Sequence, residues 1–161
     1  MIVLIMGVSG VGKTTIGQPL AERLGWQFLD ADDFHPPANV AKMAAGQPLA
    51  DADRWPWLDL LNQELRLKES ANQSVVLACS ALKESYRRRL TARLARFEIV
   101  FLHGEFDLIH ERLAQRTHRF MPPSLLESQY ATLEPPARAI AIDVAGEPSS
   151  ALAAIIARLK G

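Results

Sequence analysis

A glycine-rich turn near the start of the chain constrains its fold more than any other feature. Residues 7–14 read Gly-Val-Ser-Gly-Val-Gly-Lys-Thr, with an apolar run at residues 2–6 before them and a helical pattern at residues 13–24 after them. The glycines permit a tight turn that points successive backbone N–H groups inward, and the N-terminus of the next helix adds partial positive charge. Strand, glycine turn and helix in this order predict a site for anionic phosphate.

The side chains of this turn match those that bind a nucleotide. In the pattern G-x-x-x-x-G-K-[ST], we expect Lys13 to reach the β- and γ-phosphates of ATP and the Thr14 hydroxyl to bind Mg²⁺. Thr15 either contacts the nucleotide or packs and caps the helix. The residues assigned to nucleotide binding are Gly7, Val8, Ser9, Gly10, Val11, Gly12, Lys13, Thr14 and Thr15. A chance glycine turn is the alternative, which the flanking strand and helix patterns disfavour.

Short apolar runs alternate with helical patterns along the chain. The strand candidates are residues 2–6, 26–30, 74–79, 98–102 and 139–144, and the helical patterns cover residues 13–24, 53–67, 82–94, 106–116 and 148–159. Near-continuous apolar runs are typical of parallel strands that are covered on both faces, so we predict a three-layer α/β fold with a five-stranded parallel sheet. A chain of 161 residues fits a single domain at residues 1–161.

Charge and cysteine content narrow the possible partners. Eighteen basic and eighteen acidic side chains cancel, so we expect neither nucleic acid nor a membrane surface as a partner. The lone cysteine, Cys79, cannot form an internal disulfide, which suits a reducing compartment. The apolar opening is too short for a signal sequence or a membrane span, and we expect a cytoplasmic protein.

An acidic stretch follows the second strand candidate. Asp30 and Asp32 are two residues apart, which places both side chains on one side of an extended chain. Phosphoryl transfer needs a group that helps to hold Mg²⁺ and a group that accepts the proton of the attacking hydroxyl. We therefore assign Asp30 to Mg²⁺ through a water molecule and Asp32 to the acceptor hydroxyl. A purely structural aspartate-rich turn is the alternative.

Several stretches resemble the gluconokinase family and together cover nearly the whole chain. They are Asp-Ala-Asp-Asp-Phe-His-Pro at residues 30–36, Lys-Met at 42–43, Gly-Gln-Pro-Leu at 46–49, Asp-Ala-Asp-Arg-Trp-Pro-Trp-Leu at 51–58, Ala-Cys-Ser-Ala-Leu-Lys at 78–83, Tyr-Arg at 86–87, Phe-Met-Pro-Pro-Ser-Leu-Leu at 120–126, Ser-Gln-Tyr at 128–130 and Leu-Glu-Pro-Pro at 133–136. The resemblance implies transfer of the ATP γ-phosphate to the 6-hydroxyl of D-gluconate. It also implies a nucleoside-monophosphate-kinase-like fold with a mobile lid, and a homodimer.

Gluconate is a polyol with a carboxylate, so its site needs a forked cationic donor and hydroxyl-bonding groups. Arg54 is the candidate for the carboxylate and His35 for the polyol, within a substrate-binding segment at about residues 35–58. Lys83 and Arg87 follow the third strand candidate and are further acceptor-side residues. A surface arginine at a helix start and a structural histidine are the alternatives.

The resemblance also implies a lid at about residues 117–123 that closes over ATP. Arg112 would stack on the adenine, and Arg116 and Arg119 would reach the phosphates as catalytic cations. The chain reads His118-Arg119 where the family usually has Gly-His. This change puts the flexibility of the lid, and any role of a histidine there, in question.

Other functions fit the sequence less well. A shikimate kinase would share the phosphate-binding turn, but its glycine-rich turn after the third strand is replaced here by residues 79–83. A regulatory GTPase would need the N-K-x-D guanine signature, which is absent. The arginine-rich stretch at residues 87–96 lacks the interleaved aromatic residues of a nucleic-acid site.

Overall fold

Five parallel strands form one sheet in the computed structural model, which describes residues 1–115 and 123–161. The strands are β1 (Ile2–Met6), β2 (Gln27–Asp30), β3 (Val75–Ala78), β4 (Phe97–His103) and β5 (Ile140–Asp143). Their order across the sheet is β2-β3-β1-β4-β5, and every neighbouring pair is parallel. The predicted five-stranded parallel sheet is confirmed.

Seven α-helices are found within the same described residues. They are α1 (Lys13–Leu24), α2 (Pro37–Ala44), α3 (Asp51–Ser70), α4 (Glu84–Leu90), α5 (Phe106–Ala114), α6 (Pro123–Thr132) and α7 (Pro148–Lys160). Helix α3 begins earlier than predicted because the Asp53 carboxylate accepts a hydrogen bond from the Ala50 N–H at 2.8 Å. Helix α4 is shorter than predicted, since Arg93 has a positive φ of 62°.

Apolar side chains cover both faces of the sheet. On one face, Val3 and Ile5 of β1 belong to a cluster with residues of α1, α5, α6 and α7. On the other face, Ile2, Leu4 and Met6 pack with residues of α3 and α4. Alternate residues of β1 thus face opposite layers, and all five are buried. This double burial explains why the central strands β1 and β3 are apolar throughout, and it confirms the three-layer arrangement.

The register of the sheet brings the candidate loops to one edge. Asp30 of β2 pairs with Ala78 of β3, which pairs with Ile5 of β1, and Ile5 pairs with Val100 of β4. Because the strands are parallel, their carboxyl ends lie at the same edge. The glycine turn after β1, the acidic stretch after β2 and the segment after β3 therefore meet there.

Gly7 lies where the glycine turn leaves β1 and passes close to β4. A Cβ at this position would lie 2.5 Å from the Leu102 carbonyl oxygen and 2.8 Å from Val11 Cγ1. The φ of Gly7 is also positive, at 149°. The turn therefore packs against the backbone of β4 in a way that only glycine allows.

We expect Gly7→Ala to lower the free energy of unfolding by about 1–3 kcal/mol, because the new methyl group overlaps a backbone atom that cannot move away cheaply. Urea unfolding followed by circular dichroism measures the change. Gly146→Ala is the matched control, since a Cβ at Gly146 would have no atom within 4 Å. Equal stability of the two variants would contradict this packing argument.

In residues 1–115 and 123–161, no helix has both the length and the apolar character that crossing a membrane requires.

Candidate active site

The glycine turn leads directly into the N-terminus of α1. Gly12 is the N-cap residue, with a left-handed φ of 102°, and within the described residues no side chain caps the helix. The first turn of α1 contains no acidic residue. Its backbone N–H groups and its helix dipole are therefore available to an anion. This is the geometry that a nucleotide phosphate needs.

Lys13 folds back over the turn. Its Nζ donates hydrogen bonds to the carbonyl oxygens of Gly7 and Val8, each at 3.0 Å. These bonds hold the ammonium group over the first residues of the glycine turn. The role of Lys13 toward the phosphates stays a prediction.

Ser9 makes contacts that the sequence analysis did not foresee. Its backbone N–H donates to Gln129 Oε1 at 2.8 Å, and Gln129 Nε2 donates to Ser9 Oγ at 2.9 Å. The glycine turn is therefore attached to α6 through a pair of hydrogen bonds. No local pattern could reveal this contact, because the two residues are 120 positions apart.

A cleft of about 200 Å³ opens beside the glycine turn, away from the acidic stretch. The residues that line it are Gly10, Val11, Gly12, Thr15, Ile16, Arg112, Val144, Gly146, Pro148 and Ala151. Arg112 Nη2 donates to the Val144 carbonyl oxygen at 2.8 Å, which joins α5 to the segment after β5. The structure brings Thr15 and Arg112 together here. The residues from 144 to 151 were missed, and the Gly146-Glu147-Pro148 turn after β5 was the available signal.

Two acidic residues lie across the sheet edge from the glycine turn. Asp30 ends β2, and its Oδ1 accepts a hydrogen bond from the Asp32 N–H at 2.9 Å, which caps a short 3₁₀ turn. The charges of Asp30, Asp32 and Lys13 all act on the pKa of the Cys79 thiol, which follows β3. Burial raises the pKa of Cys79 to about 12, so this thiol stays protonated and takes no part in nucleophilic chemistry.

His35 is held by packing and by hydrogen bonds. It stacks on Trp57, with the ring centroids 4.2 Å apart, and its Nε2 lies 3.8 Å from Asp32 Oδ1. Asn39 Nδ2 donates to the Asp53 carbonyl oxygen at 2.9 Å and lies 3.3 Å from His35 Nδ1. Burial lowers the pKa of His35 although the Asp32 charge opposes the shift. The imidazole is therefore neutral, and Nδ1 accepts while Nε2 carries the proton toward Asp32.

Three side chains, two of them predicted acceptor-side residues, meet at the carboxylate of Asp51. Tyr86 donates its hydroxyl hydrogen to Asp51 Oδ1, Lys83 Nζ lies 3.5 Å from Oδ2, and Arg54 Nη1 lies 3.7 Å from Oδ1. The Arg54 guanidinium and the Lys83 ammonium each lie over the Tyr86 ring, at 5.4 and 5.5 Å from its centroid. Arg54 also donates to the Leu49 carbonyl oxygen at 2.7 Å. We call Asp51, Arg54, Lys83 and Tyr86 the acceptor cluster.

The acceptor cluster combines expected and missed residues. Arg54 and Lys83 were predicted, and the structure brings them together although 29 positions separate them in the sequence. Asp51 and Tyr86 lie in stretches that carry the family resemblance, but no role was predicted for either residue. The charge of Arg54 also acts on the pKa of His35, which connects the cluster to the pair of His35 and Asp32.

Arg87 lies in the interior. It is only 2 % exposed, and its five N–H groups donate to Glu84 and to the carbonyl oxygens of Ala81, Leu82 and Glu134. A substrate would have to displace one of these bonds. In this arrangement Arg87 holds the segment after β3, so its contacts do not support the expectation that it binds the acceptor directly.

Part of the predicted site lies outside the described residues. These positions are Arg116, His118 and Arg119, and the lid predicted at about residues 117–123 lies outside them up to residue 122. Their predicted roles therefore stay predictions.

Comparison with known proteins decides the family. A family model described as an AAA domain matches residues 2–136. A gluconokinase from Gluconobacter oxydans (strain 621H) is 52% identical over 133 residues, which cover 83% of this chain and 75% of that protein. The chain belongs to the gluconokinase family. The crystal structure of a gluconokinase from Sinorhizobium meliloti 1021 agrees, with a TM-score of 0.85 and 44% identity over 98% of this chain and 91% of the other.

Solved structures with lower sequence identity also resemble this chain. Shikimate kinase from Aquifex aeolicus vf5 has a TM-score of 0.61 and 18% identity, over 100% of this chain and 97% of that one. At this identity the likeness shows a common fold and nothing of the substrate. The resemblance to gluconokinases on which the sequence analysis relied is thus confirmed, together with the kinase fold.

We expect Tyr86→Phe to raise the pKa of Asp51. The hydrogen bond from Tyr86 is the largest cause that holds the pKa of the Asp51 carboxyl below its ordinary value, ahead of the Lys83 and Arg54 charges. A depressed folded-state pKa contributes stability above the unfolded-state pKa, and this contribution is lost as the pH falls through the folded-state value. The variant should therefore lose its share of acid stability at a higher pH than the unaltered chain.

A ¹³C NMR titration of the side-chain carboxyl groups, with the Asp51 signal assigned through Asp51→Asn, measures this pKa. Tyr130→Phe is the matched control, because the Tyr130 hydroxyl donates to the Gly104 carbonyl oxygen, far from Asp51 in the sequence. If Asp51 titrated at the same pH in Tyr86→Phe as in the unaltered chain, the assigned hydrogen bond would be wrong.

Proposed function

We propose that this gluconokinase-family chain transfers the γ-phosphate of ATP to the 6-hydroxyl of D-gluconate and releases 6-phospho-D-gluconate and ADP. The supporting observation is the acceptor cluster, where two cations converge on one carboxylate at the sheet edge that also carries the phosphate-binding turn. A site that holds a carboxylate with Arg54 and Lys83 in the protein's own structure suits an acceptor that carries a carboxylate.

The nucleotide would lie along the glycine turn and in the cleft beside it. The backbone N–H groups at the start of α1 would contact the phosphates, and the apolar walls of the cleft, with Arg112 at its side, suit the adenine and ribose. On binding, Lys13 exchanges the carbonyl oxygens of Gly7 and Val8 for the β- and γ-phosphates. The exchange keeps its ammonium group satisfied throughout.

The residues present fit Mg²⁺. The described residues contain no group of three or more His, Cys, Asp or Glu side chains that could hold a metal ion by themselves. Mg²⁺ in nucleotide sites keeps several waters and uses few protein oxygens together with the phosphates, which suits the Thr14 hydroxyl and Asp30 acting through water. When bound, Mg²⁺ neutralises charge that develops on the transferring phosphoryl oxygens.

On the acceptor side, Asp32 would accept the proton of the 6-hydroxyl as the oxygen attacks the γ-phosphorus. The neutral His35, whose Nε2–H faces Asp32, would hold the Asp32 carboxylate in place and can donate to a polyol hydroxyl. Arg54 and Lys83 would bind the carboxylate of gluconate. This would fix the opposite end of the chain of carbon atoms and direct the 6-hydroxyl toward the phosphates.

Four expectations from the sequence remain predictions beside this proposal. They are a single domain at residues 1–161, a lid at about residues 117–123 with catalytic Arg116 and Arg119, a homodimer, and a cytoplasmic location. Gluconate is a small molecule, and the proposed reaction needs neither nucleic acid nor a membrane as a partner.

An acceptor screen tests the function. With Mg²⁺ and ATP, we expect ADP release to be much faster with D-gluconate than with shikimate, other sugar acids or nucleoside monophosphates, because the proposed site binds the carboxylate of gluconate at one end, its hydroxyls between, and directs its 6-hydroxyl toward the phosphates. A coupled assay for ADP measures the rates. The uncharged sugar D-glucose serves as a control for the carboxylate. Equal slow release with every acceptor would rule out the assignment.

Arg54→Met should raise KM for gluconate by about 10- to 100-fold, the loss expected when a charge-assisted hydrogen bond to a carboxylate is removed. KM for ATP should stay within about threefold. Arg66→Met is the matched control, since Arg66 is exposed on the same helix α3. A parallel rise in both KM values would show that Arg54 acts on the fold of the site and not on the acceptor.

A further inference from the structure

We propose that Gln129 is a positioning residue for phosphoryl transfer, which fixes the glycine turn at Ser9 relative to the segment that carries Lys83. This inference rests on the proposed function, because it concerns the alignment of the phosphate donor with the acceptor. Neither the phosphate-binding pattern nor the acceptor-side candidates include Gln129.

Two hydrogen bonds from Ser9 to Gln129 and back set the orientation of the glycine turn. The Ser9 backbone N–H can only donate, so the atom that it meets at 2.8 Å is the Gln129 carbonyl oxygen. The side-chain amide nitrogen then donates to Ser9 Oγ at 2.9 Å. A glutamine provides one acceptor and one donor side by side, which matches the N–H and the hydroxyl of Ser9. Because the Ser9 N–H is used in this way, the phosphates are left to the N–H groups that follow it.

The segment that begins with Gln129 also contacts the acceptor side. At its far end, the Glu134 N–H donates to the Leu82 carbonyl oxygen at 2.8 Å, and the Glu134 carboxylate accepts from the Glu84 N–H at 2.8 Å. Arg87 Nη2 donates to the Glu134 carbonyl oxygen at 2.8 Å. Lys83 therefore lies between two residues, Leu82 and Glu84, that are both hydrogen-bonded to Glu134. Residues 129–134 therefore connect the phosphate-binding turn to the loop that bears an acceptor-side cation.

A separate contact attaches the same helix to the sheet. The Tyr130 hydroxyl donates to the Gly104 carbonyl oxygen at 2.8 Å, just after β4. The Tyr130 hydroxyl thus anchors α6 to the residue after β4, whereas Gln129 bonds to the glycine turn. Helix α6 has two possible roles, which are alignment of the glycine turn and simple attachment to the core. Substitution of Gln129 tests the first role, and substitution of the neighbouring Tyr130 tests the second.

The chemistry explains why this alignment matters. In-line transfer requires the attacking oxygen, the phosphorus and the leaving oxygen to lie nearly in a row, and a displacement of about 1 Å can lower the rate by about a hundredfold. The N–H groups that bind the phosphates would remain without Gln129, so nucleotide binding should survive. The orientation of the glycine turn relative to the loop that carries Lys83 would become less defined. The expected loss is therefore in kcat and not in KM.

Steady-state kinetics of Gln129→Ala test the inference in the full chain, with D-gluconate and Mg²⁺-ATP. We expect kcat to fall by about 10- to 100-fold well below the melting temperature, with KM for gluconate within about threefold. Gln63→Ala, the same truncation on the exposed face of α3, should leave both constants unchanged. Tyr130→Phe should lower the melting temperature while its kcat stays within about threefold. An unchanged kcat in Gln129→Ala, or an equal loss in Tyr130→Phe, would overturn the proposal.

Amide hydrogen exchange at Ser9 gives a readout that does not depend on the acceptor. In Gln129→Ala the Ser9 N–H should exchange at least about tenfold faster than in the unaltered chain, whereas Gln63→Ala should leave it unchanged. Should Gln129→Ala fail to fold, Gln129→Glu keeps an oxygen that accepts from the Ser9 N–H and should keep the slow exchange. Fast exchange in the unaltered chain, or no change in the variant, would overturn the proposal. If the unaltered chain did not use gluconate, the proposed function would fail, while the exchange at Ser9 would still decide whether Gln129 fixes the turn.

Discussion

The close approach of the glycine turn to the backbone of β4 is the constraint on which the rest of the site depends. The 2.5 Å that would separate a Cβ at Gly7 from the Leu102 carbonyl oxygen leaves no room for any other residue. The turn can reach the N-terminus of α1 only along this path, with Gly12 in a left-handed conformation as the N-cap. The direction of the N–H groups, and the position of Lys13 above them, follow from that path. Phosphate binding is thus a consequence of backbone packing before any side chain contributes.

The parallel sheet then determines what lies opposite the phosphates. Asp30 of β2 and Ile5 of β1 both pair with Ala78 of β3, so they lie two strands apart. Because neighbouring strands are about 4.8 Å apart, the backbones of these two residues are separated by about 10 Å. This leaves space for a phosphoryl group and an attacking hydroxyl between the glycine turn and the acidic stretch. The strand between them, β3, is followed by the buried Cys79 and by the loop with Lys83. A thiol kept neutral by burial adds no charge to this space, whereas Lys13, Asp30 and Asp32 are charged groups close enough to act on that thiol.

The parts of the structure that sequence could predict are those determined by local or periodic patterns. Residues 2–6 and α1 have the predicted bounds, because burial on both faces and a phosphate-binding turn leave clear patterns. Contacts between distant residues were not predictable. The contact of Ser9 with Gln129 and that of Asp51 with Tyr86 depend on how the helices pack. Arg87 illustrates the same limit: its position after β3 suggested a substrate ligand, but its five hydrogen bonds are to the protein itself.

Asp51 explains how two cations can wait in the acceptor site without a substrate. Arg54 and Lys83 would repel each other if nothing lay between them, and the Asp51 carboxylate, together with the Tyr86 hydroxyl and ring, compensates for that repulsion. The Asp51 side chain is 46% exposed, so water screens these contacts, and an incoming carboxylate can compete for the same donors at little cost. A neutral polyol offers no charge in exchange and gains less from the same site. In the proposed function, the acceptor cluster would favour an acid over a neutral polyol, because the substrate carboxylate can replace the Asp51 carboxylate as the partner of Arg54 and Lys83.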